Sequence, residues 1–191
     1  MPDRPDAPLV VFLGGGSGRR NSAMRIWTNY LSKARGIDEF RVVLPYTVVE
    51  DDYISEAGRT YRIIDEVIAC YGRPSATHLA GVSNGGLVAF GLAVREPQRF
   101  DTLLGAPGVL APMDAAALTA AMAGRAVFNG VGALDEGWKQ EVRATHETLR
   151  AAGVKSVYVE FPNQGHTAGA NFDGTIFVEF WLTEAAGRAP R

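Results

Sequence analysis

Six short, almost uninterrupted apolar runs, each followed by a longer segment of helical character, constrain this chain more than any other feature. The runs fall at residues 8–13, 41–44, 77–82, 102–104, 126–129 and 156–161. They are continuous rather than alternating, which is the pattern of strands buried on both faces of a parallel sheet. The segments between them read as helices at 22–35, 51–71, 84–94, 114–122, 136–152 and 175–186. The clearest of these is 51–71, where Ile54, Ala57, Tyr61, Ile64, Ile68 and Tyr71 recur three and four apart along one face. Asp51 or Asp52 can cap its start, and Gly72 with Pro74 ends it. Strand–helix alternation predicts an α/β fold: a doubly wound, mostly parallel six-stranded sheet with helices on both faces.

A length of 191 residues fits one domain, and 47% apolar residues supply its core. No linker, repeat or low-complexity stretch divides it. The expected organisation is a flexible segment at 1–8, a single domain at 9–186 and a tail at 187–191. Net charge is −2 and the charges are interspersed, so neither nucleic acid nor an anionic membrane is expected as a partner. Residues 1–8 lack the apolar core of a signal peptide, and no run approaches a membrane span. Cys70 is the single cysteine, which leaves no internal disulfide. The expectation is a cytoplasmic protein.

The stretch Gly81-Val82-Ser83-Asn84-Gly85-Gly86 matches G-x-S-x-G and lies between a predicted strand and a predicted helix. In that setting the serine occupies a sharp turn that lifts its hydroxyl clear of the sheet. Side chains two positions away would collide, which calls for glycine at 81 and 85. The N-terminus of the following helix points its N–H groups to where negative charge develops. Without that context the pattern is a weak one in a chain with 22 glycines.

A serine hydroxyl needs a base, usually a histidine held by a carboxylate. Of three histidines, His78 opens a strand and His146 lies inside a helix, both structural positions. His166 lies instead in the turn-rich Pro162-Asn163-Gln164-Gly165-His166-Thr167, past the carboxyl end of a strand, where catalytic groups of α/β sheets gather. Asp135 follows the strand at 126–129 and is at the same edge. It also reads as the N-cap of the next helix. The rival acid, Glu136, falls in the first helical turn. The chain order Ser83, Asp135, His166 is that of an α/β-hydrolase.

On these residues the chain resembles the α/β-hydrolase superfamily, and within it the small capless carboxylesterase and dienelactone-hydrolase-like members. The likeness runs from Leu9 to about Trp181 and implies a minimal α/β-hydrolase fold with no cap domain. The chain's first strand corresponds to the third of the larger family sheet, which implies that the two leading antiparallel strands are missing. Family members often carry His-Gly after the first central strand. Here the residues are Leu13-Gly14-Gly15-Gly16-Ser17-Gly18, with Gly14 in place of the histidine. Because that loop contributes a backbone N–H, the resemblance implies an oxyanion hole formed by Gly16, with Ser17 as next choice, together with Asn84. The glycine run fails the P-loop pattern, since Arg19-Arg20 stand where Gly-Lys-Ser/Thr should follow. It also fails G-x-G-x-x-G, since Arg19 takes the third glycine position and Pro45-Tyr46 ends the second strand without an acid.

The resulting expectation is a serine hydrolase that cleaves a carboxylic ester or thioester through an acyl-enzyme, with no cofactor and no metal. Its substrate would be a small acyl molecule. Trp27, Tyr46, Leu110, Met113, Trp138 and Phe172 are candidates for the mouth of the site, each equally plausible as core. Residues 106–124 are too few for a cap. Fold does not fix chemistry. A lyase or cyclase using the His-Ser pair for proton transfer is the alternative reading, and a non-catalytic binder, which would not need all three groups, is a third.

Overall fold

The computed structural model describes residues 2, 4–47, 57–109, 115–169 and 171–186. Among them, six strands form one all-parallel sheet: β1 (Leu9–Leu13), β2 (Arg41–Val43), β3 (Thr77–Gly81), β4 (Thr102–Gly105), β5 (Ala126–Gly132) and β6 (Lys155–Phe161), in the spatial order β2-β1-β3-β4-β5-β6. Each is followed by a helix: α1 (Arg20–Ile26), α2 (Ala57–Tyr71), α3 (Asn84–Arg95), α4 (Ala115–Ala121), α5 (Glu136–Ala151) and α6 (Thr175–Ala186). The proposed start of the second helix at 51–56, with its Asp51 or Asp52 cap, lies outside the described residues, as do residue 114 and the tail at 187–191.

The continuous apolar runs are explained by two cores, one on each face. Val10, Phe12, Ala80 and Phe128 point to the face covered by α1 and α6, against Ile26, Phe177 and Trp181. Their neighbours Leu9, Val11, Leu79 and Val127 point to the face covered by α2 to α5, against Ile64, Phe90, Leu118 and Leu149. Each large side chain removed from water in this way contributes about 1.5–3 kcal/mol. The segment leading into β1 is held as well. Ala7 is buried, and the buried Arg41 donates from Nη1 to the Gly72 carbonyl at 2.9 Å, from Nη2 to the Arg4 carbonyl at 2.9 Å, and also to the carbonyl of Pro5.

Two elements depart from the sequence expectation. The helix expected at 22–35 begins earlier, at Arg20, and after Ile26 widens into a π-helical turn, Trp27–Leu31, closed by the Ser32 N–H donating to the Trp27 carbonyl at 2.8 Å. Apolar periodicity does not distinguish such a turn from the α-helix it extends. Strand β5 runs three residues past the expected 126–129, paired with β6 through Gly132↔Phe161. Gly130 and Gly132 have low strand propensity, which hid the extension.

Because β1 lies beside β3 while the chain proceeds from β1 to β2, the strand order reverses between β1 and β3. Helices α1 and α3 therefore leave adjacent strands for opposite faces of the sheet. That reversal opens a crevice at the carboxyl edge, the place where open α/β sheets bind ligands.

Candidate functional site

Ser83 sits in this crevice, between β3 and α3, with φ 57° and ψ −126°. A non-glycine residue at positive φ is strained, so the turn must be held by its surroundings. The Ser83 N–H donates to the Pro107 carbonyl at 2.7 Å, the Val82 N–H to the Leu13 carbonyl at 3.1 Å, and the Gly85 N–H to the Val82 carbonyl at 2.9 Å. The two glycines expected of the elbow are sterically required. A Cβ on Gly81 would run into the Gly85 carbonyl oxygen, and one on Gly85 into the carbonyl oxygens of Leu13 and Gly14.

The acid and the histidine arrive from the ends of β5 and β6. Asp135 Oδ2 is 2.8 Å from His166 Nδ1, and His166 Nε2 is 2.8 Å from Ser83 Oγ. With Nδ1–H donating to the carboxylate, Nε2 is left as the acceptor for the serine hydroxyl. Asp135 is buried, whereas the His166 side chain is 40% exposed, so the imidazole has one anchored edge and one reachable face. The Trp138 ring, one turn into α5, packs beside it with centroids 5.3 Å apart. Asp135 precedes α5 at the N-cap position, but its side chain makes no capping hydrogen bond; the carboxylate is committed to His166.

The other two histidines are placed as their positions implied. His78 is fully buried, with Nδ1 2.9 Å from Thr102 Oγ1. His146 is half-buried in α5, with Nδ1 2.8 Å from Ser156 Oγ, and burial pushes its pKa down.

The glycine loop after β1 closes over Ser83. A Cβ on Gly15 would lie 3.0 Å from Ser83 Cβ, so Gly15 is the residue that abuts the serine. Gly16, at φ +63°, turns outward next to it, and Ser17 is exposed. The Asn84 side chain crosses the crevice and donates from Nδ2 to the Gly16 carbonyl at 3.0 Å. The Gly15 carbonyl accepts from the Gly18 N–H at 3.3 Å.

Of the residues expected to line the mouth, Trp138 lies beside His166. Trp27 is 39% exposed on the π-helical turn. Tyr46, 47% exposed, precedes Thr47, whose N–H donates to the Gly18 carbonyl at 2.9 Å. Phe172 is core instead: it is buried and packs against Tyr30 and Phe161, since the apolar face over α1 and α6 takes up its ring. Leu110 and Met113 lie outside the described residues.

Several residues that shape the site carry no motif. Gln164 accepts from the Leu134 N–H through its backbone carbonyl at 2.9 Å, and from the Gly169 N–H through Oε1 at 2.8 Å, bracing the loop that carries His166. Asn29 and Tyr30 reach the same loop at Ala168. Only their place on the first helix, beside the glycine loop, could have drawn notice to them.

No protein-family model and no curated protein sequence matches the chain. Solved structures do. FphF, a fluorophosphonate-binding serine hydrolase of Staphylococcus aureus, superposes with a TM-score of 0.72 at 12% identity, covering 97% of this chain and 86% of its own. SOBER1 of Arabidopsis thaliana gives 0.63 at 16% identity over 94% and 98%. Esterase PE8 gives 0.64 at 19% identity over 95% and 94%. The chain has the α/β-hydrolase fold in a minimal form. No helix among the described residues is long and apolar enough to cross a membrane.

Proposed function

We propose that the protein is a serine hydrolase that cleaves a carboxylic ester or thioester of a small acyl substrate. The observation that carries this reading is the unbroken line from Asp135 through His166 to Ser83, with both links at 2.8 Å. His166 Nε2 takes the Ser83 proton as Oγ attacks the acyl carbonyl, forming a C–O bond and a tetrahedral oxyanion. The carbonyl re-forms as the leaving group departs with the proton from Nε2. Water, deprotonated by the same nitrogen, then releases the acid and restores Ser83. Asp135 stabilises the imidazolium in both halves.

The oxyanion is assigned to the backbone N–H groups of Asn84 and Gly16. Asn84 begins α3, so its N–H is among those left without an intrahelical acceptor. In a trans peptide the N–H opposes the preceding carbonyl. The Gly16 carbonyl is turned to the Asn84 side chain, so the Ser17 N–H is directed away from it, which favours Gly16 over Ser17. Loss of one such donor costs about 3 kcal/mol of transition-state stabilisation. Trp27, Tyr46 and Trp138 are the described candidates for contact with the acyl or leaving group.

The reading is tested by turnover of p-nitrophenyl acetate and butyrate. A burst of nitrophenolate equal to the enzyme concentration, followed by steady hydrolysis, is expected. Ser83→Ala should lose the burst and fall on the order of 10⁶-fold in kcat. Folded wild-type protein without turnover of any short ester or thioester contradicts it.

A further inference from the structure

His166 has to be held to within a few tenths of an ångström between two partners, yet its loop is poorly suited to hold it. Gly165 precedes it and Gly169 follows three residues later. Glycine gives up more backbone freedom on ordering than any other residue. Upstream, the loop is fixed to the acid's own turn through Leu134 and Gln164. Downstream, both polar groups of one residue, Ala168, are taken by two consecutive side chains of the first helix. Asn29 Nδ2 donates to the Ala168 carbonyl at 3.1 Å, and the Ala168 N–H donates to Tyr30 Oη at 2.8 Å.

Adjacent residues of an α-helix point about 100° apart and do not ordinarily reach both backbone groups of one residue. Here both lie in the π-helical turn Trp27–Leu31, where the wider winding alters that spacing. Such turns occur frequently at functional sites. The Tyr30 ring is locked in place by Phe12, Phe172 and Phe177. Burial pushes its pKa up to about 12, so the hydroxyl stays neutral across the working range.

We infer that Asn29 and Tyr30 are positioning residues: the π-helical turn is a clamp that sets the His166 loop against Asp135 and Ser83. The inference rests on the hydrolase reading for its kinetic consequence. A misplacement near 1 Å at a reacting group costs on the order of a hundredfold in rate. Releasing either half of the clamp should therefore lower kcat by roughly tenfold to a hundredfold while leaving KM within about twofold, because the polar groups of both side chains are engaged with the Ala168 backbone.

Tyr30→Phe keeps the ring and removes only the hydroxyl. Asn29→Ala, at a half-buried site, covers the case in which Tyr30→Phe does not fold. Both are compared with wild type well below their melting temperatures, in kcat and KM for p-nitrophenyl acetate and in the downfield proton resonance of the Asp135–His166 hydrogen bond. Loss or broadening of that resonance together with the fall in kcat supports the clamp. A lowered melting temperature with wild-type kcat and a wild-type resonance overturns it. If wild-type protein shows the resonance but hydrolyses nothing, the hydrolase reading fails, and the resonance in the two variants alone decides the clamp.

Discussion

At the scale of single residues, the Asp135 carboxylate has two possible tasks, capping α5 and orienting His166. The residue stands where a helix cap stands, and asparagine caps a helix as well as aspartate does. Asp135→Asn therefore separates the two roles. If the carboxylate serves His166, the variant keeps its helix content and melting temperature but loses on the order of 10⁴-fold in kcat, because the amide favours the wrong tautomer. Steady-state kinetics beside circular dichroism check this. Near-wild-type turnover would reduce the 2.8 Å contact to a structural one. Ser83, Asp135 and His166, which the structure joins through two 2.8 Å contacts, could be picked out as candidates because each follows the end of a predicted strand and each is of a type that serine hydrolysis uses. Gln164, Asn29 and Tyr30 were not, because they act through backbone groups of residues far off in the chain, Ala168 being 139 and 138 positions away from Asn29 and Tyr30, and such contacts leave no local pattern.

At the scale of elements, α6 shows how the core over one face is tied to the loop before it. The Thr175 N–H and hydroxyl both donate to Asp173 Oδ1, at 2.9 and 2.5 Å, and the Arg35 N–H donates to Thr175 Oγ1 at 3.0 Å. The Thr175 hydroxyl and then its N–H hold the Asp173 carboxyl below its ordinary pKa. A carboxylate depressed in the folded state stabilises above its unfolded pKa, and that contribution disappears as pH falls through the depressed value. Asp173→Ala should therefore cost about 0.5–1 kcal/mol at neutral pH, the scale of hydrogen bonds to an exposed carboxylate, with the difference shrinking in acid. Urea unfolding at pH 7 and at pH 3 measures it, and an equal difference at both would contradict the assignment. Most helices could be read from the sequence because their apolar residues recur three and four apart, and the strands because theirs run unbroken. The π-helical turn hid inside a continuing helical pattern, and the last residues of β5 behind Gly130 and Gly132.

At the scale of the whole molecule, the candidate site depends on topology more than on any one contact. The strand order β2-β1-β3 sends α1 and α3 to opposite faces, so the glycine loop after β1 and the elbow after β3 meet over one crevice. β5 and β6 then bring Asp135 and His166 to the same edge. The doubly wound class followed from continuous apolar runs, but strand order did not, because no run specifies its neighbour in the sheet. Whether Ser83 is an activated nucleophile is decided by covalent labelling with a fluorophosphonate, mapped by mass spectrometry. Such a reagent requires a serine already activated by its base and an oxyanion site. One adduct is expected, on Ser83, absent from Ser83→Ala and from His166→Ala. Folded protein that stays unlabelled, or that carries its label elsewhere, would contradict it.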